Sequence, residues 1–155
     1  MTRRWATTAI AALLALSSCS SLDGPLAANP PRQDEAVAFL ARLVDLAGQG
    51  EFEELCGLGD GNCERHLEMA GIESVPPEPP TVVATRLVAD DPSSGAVGGW
   101  VLTLCGIDGR GQDYRSEMLI FRDGAGLRAI NPVYWDGVMI ADGNATVPGP
   151  QPTGC

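Results

Sequence analysis

The chain has a single histidine, His66, which stands three residues after Cys63 and ten after Cys56; these three side chains carry its most versatile chemistry. Two thiolates and an imidazole are zinc ligands by type, and the i, i+3 spacing sets Cys63 and His66 on one face of a helix. The spacing matches no closed structural zinc site, and neither cysteine lies in a Cys-x-x-Cys redox arrangement. A serine-histidine-acid site would have to recruit His66, yet no Gly-x-Ser-x-Gly elbow is present. Disulfide formation competes for both thiols in an oxidising compartment, which removes them as ligands. We therefore expect His66 as a partly exposed helix residue among Glu64, Arg65 and Glu68, and no cofactor or metal.

The first 18 residues bear on the compartment. Arg3 and Arg4 precede an apolar stretch from Trp5 to Leu16, shorter than the ~20 residues a spanning helix needs. The next residues, Leu16-Ser17-Ser18-Cys19, resemble the lipobox of bacterial lipoprotein precursors: an aliphatic residue and two small ones ahead of the cysteine that is lipidated. The resemblance implies cleavage before Cys19, a palmitate-type acyl anchor on its sulfur, and residence on the extracytoplasmic face of the cell membrane. An ordinary secretory leader cut near Ser18 or Ser20 would instead release the protein. With Cys19 assigned to lipid, Cys56, Cys63, Cys105 and Cys155 remain, an even number suited to two disulfides. Of the three pairings, Cys56 with Cys63 and Cys105 with Cys155 is favoured; Cys63 with Cys105 is the main rival.

Removing the leader leaves 20 acidic residues against 8 arginines, and the chain has no lysine. A surface this acidic excludes nucleic acid as a partner, since phosphate binding needs cations. The expected partners are the membrane, through the anchor, and an unidentified small molecule or envelope protein.

The elements that must position these residues follow from periodicity. Residues 1–18 read as the leader, 19–33 as a flexible tether with Ser, Gly, Asn and three prolines and little periodicity, 34–136 as one domain, and 137–155 as an irregular tail broken by Gly and Pro. Asp34 is the expected cap of a first helix with Ala36, Val37, Leu40, Leu43, Val44 and Ala47 on one face, ended by Gly48 and Gly50. Shorter helices are expected from Glu51 to Leu58 and from Asn62, as cap, to Ala70. After Pro76-Pro77-Glu78-Pro79-Pro80 the period changes to two, and strands are expected over Thr81–Ala89, Gly99–Gly106, Tyr114–Arg122 and Leu127–Tyr134. The turn-rich segment Gly106 to Gly111 joins two strands rather than opening a helix, so it reads as a turn and not a phosphate loop. The sum is an α+β domain of two or three N-terminal helices packed on a curved antiparallel four-stranded sheet.

That element order, with the phrase Gly48-Gln49-Gly50-Glu51-Phe52-Glu53-Glu54-Leu55 after the first helix, resembles the nuclear transport factor 2-like, cystatin-like α+β fold. The resemblance implies a pocket between sheet and helices, with Trp100, Tyr114, Tyr134 and Trp135 as candidate lining. Enzymes of that superfamily place an acid, a histidine or a tyrosine there, but strand alternation sets Glu117 on the face opposite Tyr114. The cross-strand reading pairs Glu117 with Arg86 and Arg115 on a wet face. The expectation is thus a non-enzymatic ligand- or protein-binding domain, with a small isomerase or dehydratase as the alternative.

Overall fold

The computed structural model describes residues 29–124 and 126–150; the leader, most of the tether, Cys19 and Cys155 lie outside the described residues. Three helices precede the strands: α1 (Gln33–Gln49), α2 (Phe52–Gly57) and α3 (Cys63–Ala70). Four strands then form one antiparallel sheet in chain order: β1 (Thr81–Val88), β2 (Gly99–Ile107), β3 (Asp113–Asp123) and β4 (Gly126–Ile130). The domain is α+β.

Helix α1 starts one residue before the expected cap. Asp34 sits in the first turn, where a carboxylate favours the positive end of the helix dipole, and Arg32 occupies the cap position. The Glu35 carboxylate accepts the Arg32 N–H at 2.7 Å and the Arg122 guanidinium at 3.0 Å, which holds its pKa below the usual carboxylate range, chiefly through the Arg32 N–H. The buried stripe is Ala36, Phe39, Leu40, Leu43, Leu46 and Ala47, rotated from the expected one. Phe39 and Leu46 bring more apolar surface to the core than Val37, which is 41% exposed, and Val44, which is half-buried. Gly50, at φ 75°, ends the helix in the left-handed conformation. Asn62 stands at the cap position of α3 but does not cap it through its side chain, which donates instead to Asp60 Oδ2 at 3.0 Å.

Alternation divides the sheet as its sequence requires. Leu102, Leu104, Tyr114, Met118 and Ile120 face the helices and form one core with α1, while Val101 and Leu119 point to the other side. Strand β4 stops at Ile130 rather than reaching Tyr134, because Asn131 adopts φ 61° and Pro132 has no N–H to continue the ladder.

Part of the far side of the sheet is covered rather than wet, and residues 138–148 are not an irregular tail. Residues Val138–Ile140 (β5) and Thr146–Pro148 (β6) form an antiparallel pair. Ile140 packs on Val101 and Leu119, and its N–H donates to Glu117 Oε2 at 3.0 Å. The glycines that read as breakers punctuate these strands: Gly137 and Gly143 take φ 76° and 68°. Val138 and Ile140, alternating on a short strand, are both buried, and burial of such side chains, worth about 1.5 to 3 kcal/mol each, offsets part of the cost of ordering the segment.

Candidate functional site

Helix α3 presents Cys63, His66, Leu67 and Ala70 inward at the spacing of one helical face. His66 is accordingly buried, not partly exposed. The spacing of Cys63 and His66 already held this signal; the charged neighbours Glu64, Arg65 and Glu68 concealed it.

The imidazole meets a residue that sequence reasoning left out. His66 Nδ1 lies 2.6 Å from Asp136 Oδ2, with side-chain exposures of 5% and 1%. A carboxylate only accepts, so Nδ1 carries the proton of this bond. Asp136 Oδ1 in turn accepts the Val138 N–H at 2.9 Å and the Asn131 amide at 3.1 Å, and lies 3.5 Å from Ser116 Oγ. Asn131 Nδ2 also donates to the Glu117 carbonyl at 3.0 Å, and Ser116 Oγ accepts the Gly137 N–H at 2.8 Å. On the other side of the ring, His66 Nε2 stands 3.5 Å from Thr146 Oγ1. An acid, an imidazole and a hydroxyl in that order match the group types of an acid-base triad, in which the acid orients the ring. His66 lines neither of the two clefts described below, and its side chain is 5% exposed. The arrangement joins α3, β3 and β6 as a buried clamp.

Glu117 forms a second clamp on the covered side of the sheet. Its carboxylate accepts Thr103 Oγ1 at 3.2 Å, the Ile140 N–H at 3.0 Å and Arg86 at 3.4 Å, while Arg86 also donates to the Ile140 carbonyl at 2.9 Å. The Arg86–Glu117 pair is thus present, but it fastens β5 to the sheet; Arg115 remains on the surface.

The four aromatic residues do not line one pocket. Tyr114, Tyr134 and Trp135 are buried together, with ring centroids 6.4 Å apart for Tyr114 and Tyr134 and 4.8 Å for Tyr134 and Trp135. Burial pushes the Tyr134 phenol up to about 12 and the Tyr114 phenol higher still, the latter helped by Tyr134 and Asp108. Trp100 stands apart, its indole N–H donating to the Pro31 carbonyl at 2.9 Å, where it seats the chain entering α1. Tyr114 and Trp135 border a shallow cleft of about 420 Å³ beside β5 and β6.

The larger cleft, of about 870 Å³, opens between α2 and α3. Cys56 and Cys63 are joined by a disulfide, with Cα atoms 5.3 Å apart, and their bridge, Phe52 and Leu67 give the cleft apolar surface. This pairing excludes Cys63 with Cys105. Cys105 is also disulfide-bonded. Glu53, Asp60, Glu64 and Glu68 border the same cleft, and among the described residues no arginine does. Arg110 approaches Gly71 at one end but is bound to Glu73 and to the Ala70 carbonyl. Arg128 donates to the Gly59 carbonyl and the Ala129 N–H to the Leu58 carbonyl at 3.0 Å, so the loop between α2 and α3 is fixed to β4. The walls are therefore preformed. Residues Asp108 to Gln112 form the expected turn: Asp108 Oδ1 accepts the N–H groups of Arg110 and Gln112 at 2.9 and 2.8 Å, which puts a carboxylate where a phosphate loop would need open donors.

Among the described residues, no group of three or more His, Cys, Asp or Glu could hold a metal ion, and no helix is long and apolar enough to cross a membrane. No known protein family, curated protein or solved structure matches the chain.

Proposed function

We propose that this chain is a lipoprotein of the bacterial cell envelope, held by lipid on Cys19 at the extracytoplasmic face of the membrane, and that its domain is a non-enzymatic binding module. The leader and Leu16-Ser17-Ser18-Cys19 support the anchor. Helices followed by an antiparallel sheet support a nuclear transport factor 2-like or cystatin-like ancestry for the domain, with Cys105 paired to Cys155.

One observation carries the binding role: the α2–α3 cleft is preformed, apolar at its base and rimmed by carboxylates, and its volume of about 870 Å³ lies within the range of ligand sites. The disulfide and the contacts to β4 keep its walls in place, which lowers the ordering cost of binding. A photo-crosslinking side chain at Gly61, where an added Cβ meets nothing within 4 Å, tests this in intact cells. A covalent adduct is expected from position 61 and not from Asp45, which is exposed on α1. No adduct, or the same adducts from both positions, would contradict it.

The second reading, a small isomerase or dehydratase, is favoured by the His66–Asp136 bond, which resembles an acid-base pair. Enclosure of His66 weighs against it. Exchange of solvent deuterium into a panel of small ketones, abolished by His66→Gln in a folded protein, would establish it.

A further inference from the structure

We infer that the α2–α3 cleft takes a cationic amphipathic helix from a partner protein. The inference rests on the binding role proposed above and adds the chemistry of the ligand. Glu64 and Glu68 are exposed and one helical turn apart on α3, and Glu53 is exposed across the cleft on α2. Between them lie Phe52, Leu67 and the Cys56–Cys63 bridge, with Ile72, 60% exposed, at one end.

An apolar stripe flanked by carboxylates at a one-turn repeat is the complement of a helix with an apolar face and arginine or lysine side chains one turn apart beside it. Among the described residues no cation lines the cleft, and Arg110, at its end, is engaged by Glu73 and the Ala70 carbonyl.

Once the leader with Arg3 and Arg4 is removed, as the proposed anchor requires, the chain's own remaining segments do not have this chemistry. Residues 20–28 and 151–155 contain no basic side chain, and a second mature copy, with 20 acidic residues against 8 arginines, would bring further carboxylates to an acidic rim.

The test uses the full mature protein, anchor retained, in zwitterionic lipid nanodiscs, with empty nanodiscs subtracted. The probe is a fluorescent 18-residue leucine-lysine peptide with lysines spaced one turn apart. Saturable one-to-one binding is expected, weakened by salt and reduced about tenfold by the double substitution Glu64→Gln, Glu68→Gln, whose sites are on the surface. Gly57→Phe, which fills the cleft from a position where an added Cβ meets nothing within 4 Å, should abolish it. Equal binding of a glutamate version or of a scrambled peptide lacking the apolar stripe would overturn the inference, as would binding indifferent to the double substitution. If these peptide results fail while crosslinking from position 61 succeeds, the ligand class falls and the binding role stands. If both fail, the binding role falls with it.

Discussion

His66 Nδ1 and Asp136 Oδ2, 70 positions apart in sequence, are hydrogen-bonded at 2.6 Å with both side chains almost wholly buried. That bond ties the helix bearing one wall of the cleft to the segment that leads into β5. Asp136→Ala removes the acceptor and leaves the His66 ring, the Asn131 amide and the Val138 N–H without it. Loss of about 3 to 5 kcal/mol is expected, as for other broken buried polar pairs. Thr146→Ala, which removes only a 3.5 Å contact, should cost less than about 1 kcal/mol. Denaturant unfolding of both variants measures the difference. Similar small losses would show that the pair is not a clamp.

The apolar stripe of α1 supplies a contrast within two adjacent residues. Leu43 is fully buried, whereas Arg42 is half-exposed and paired with Glu54 at 2.7 Å. Leu43→Ala should destabilise by about 2 to 5 kcal/mol through a core cavity, and Arg42→Ala by at most about 1 kcal/mol. The same unfolding measurement checks both values, and equal effects would contradict the packing of α1 on the sheet.

These two positions also show what the sequence made legible. The α+β class, the three helices and the four-stranded meander follow from a switch of period between Ala70 and Thr81, so they could be read directly. Burial of Leu40 and Leu43 was legible for the same reason. The hairpin of β5 and β6 was not, because its two three-residue strands are short and bordered by glycines that resemble breakers, and Ile140 finds its apolar partners Val101 and Leu119 only in the folded sheet. Asp136 was hidden likewise: no local pattern joins it to His66, and only the fold brings the two together. The disulfide of Cys56 and Cys63 was open to reading because a short loop separates them. The cleft beside it was not, since its walls are positioned by contacts from Arg128 and Ala129 on β4.

The cysteines give a chemical prediction. Protein harvested from membranes and denatured without reductant should take up no thiol tag at Cys56, Cys63 or Cys105, all of which are disulfide-bonded. Cleavage after arginine leaves Cys105 and Cys155 on different peptides, and mass spectrometry should recover those peptides linked. A link from Cys105 to Cys19 would remove the thiol needed for lipidation.

The two tyrosines, the only ones in the chain, set an alkaline limit. Burial raises both phenols, Tyr134 to about 12 and Tyr114 further, whereas an unfolded tyrosine titrates near about 10. The native state therefore binds more protons than the unfolded chain above that pH. The stabilisation is complete below about pH 10 and is lost as the pH rises toward the folded values. Absorbance at the tyrosinate band should stay low at pH 11 in native protein and reach that of two tyrosinates on unfolding. A native titration midpoint near about 10 would place both rings in water.

An anchored binding module depends first on Cys19. Cells given a labelled fatty acid should incorporate it into the wild-type protein, in the membrane fraction, with a mature N-terminus at Cys19. Cys19→Ala should abolish the label and leave an uncleaved precursor or a released product. Label that persists in Cys19→Ala, or unlabelled wild-type protein cleaved near Ser18 or Ser20 and free in the medium, would contradict the anchor.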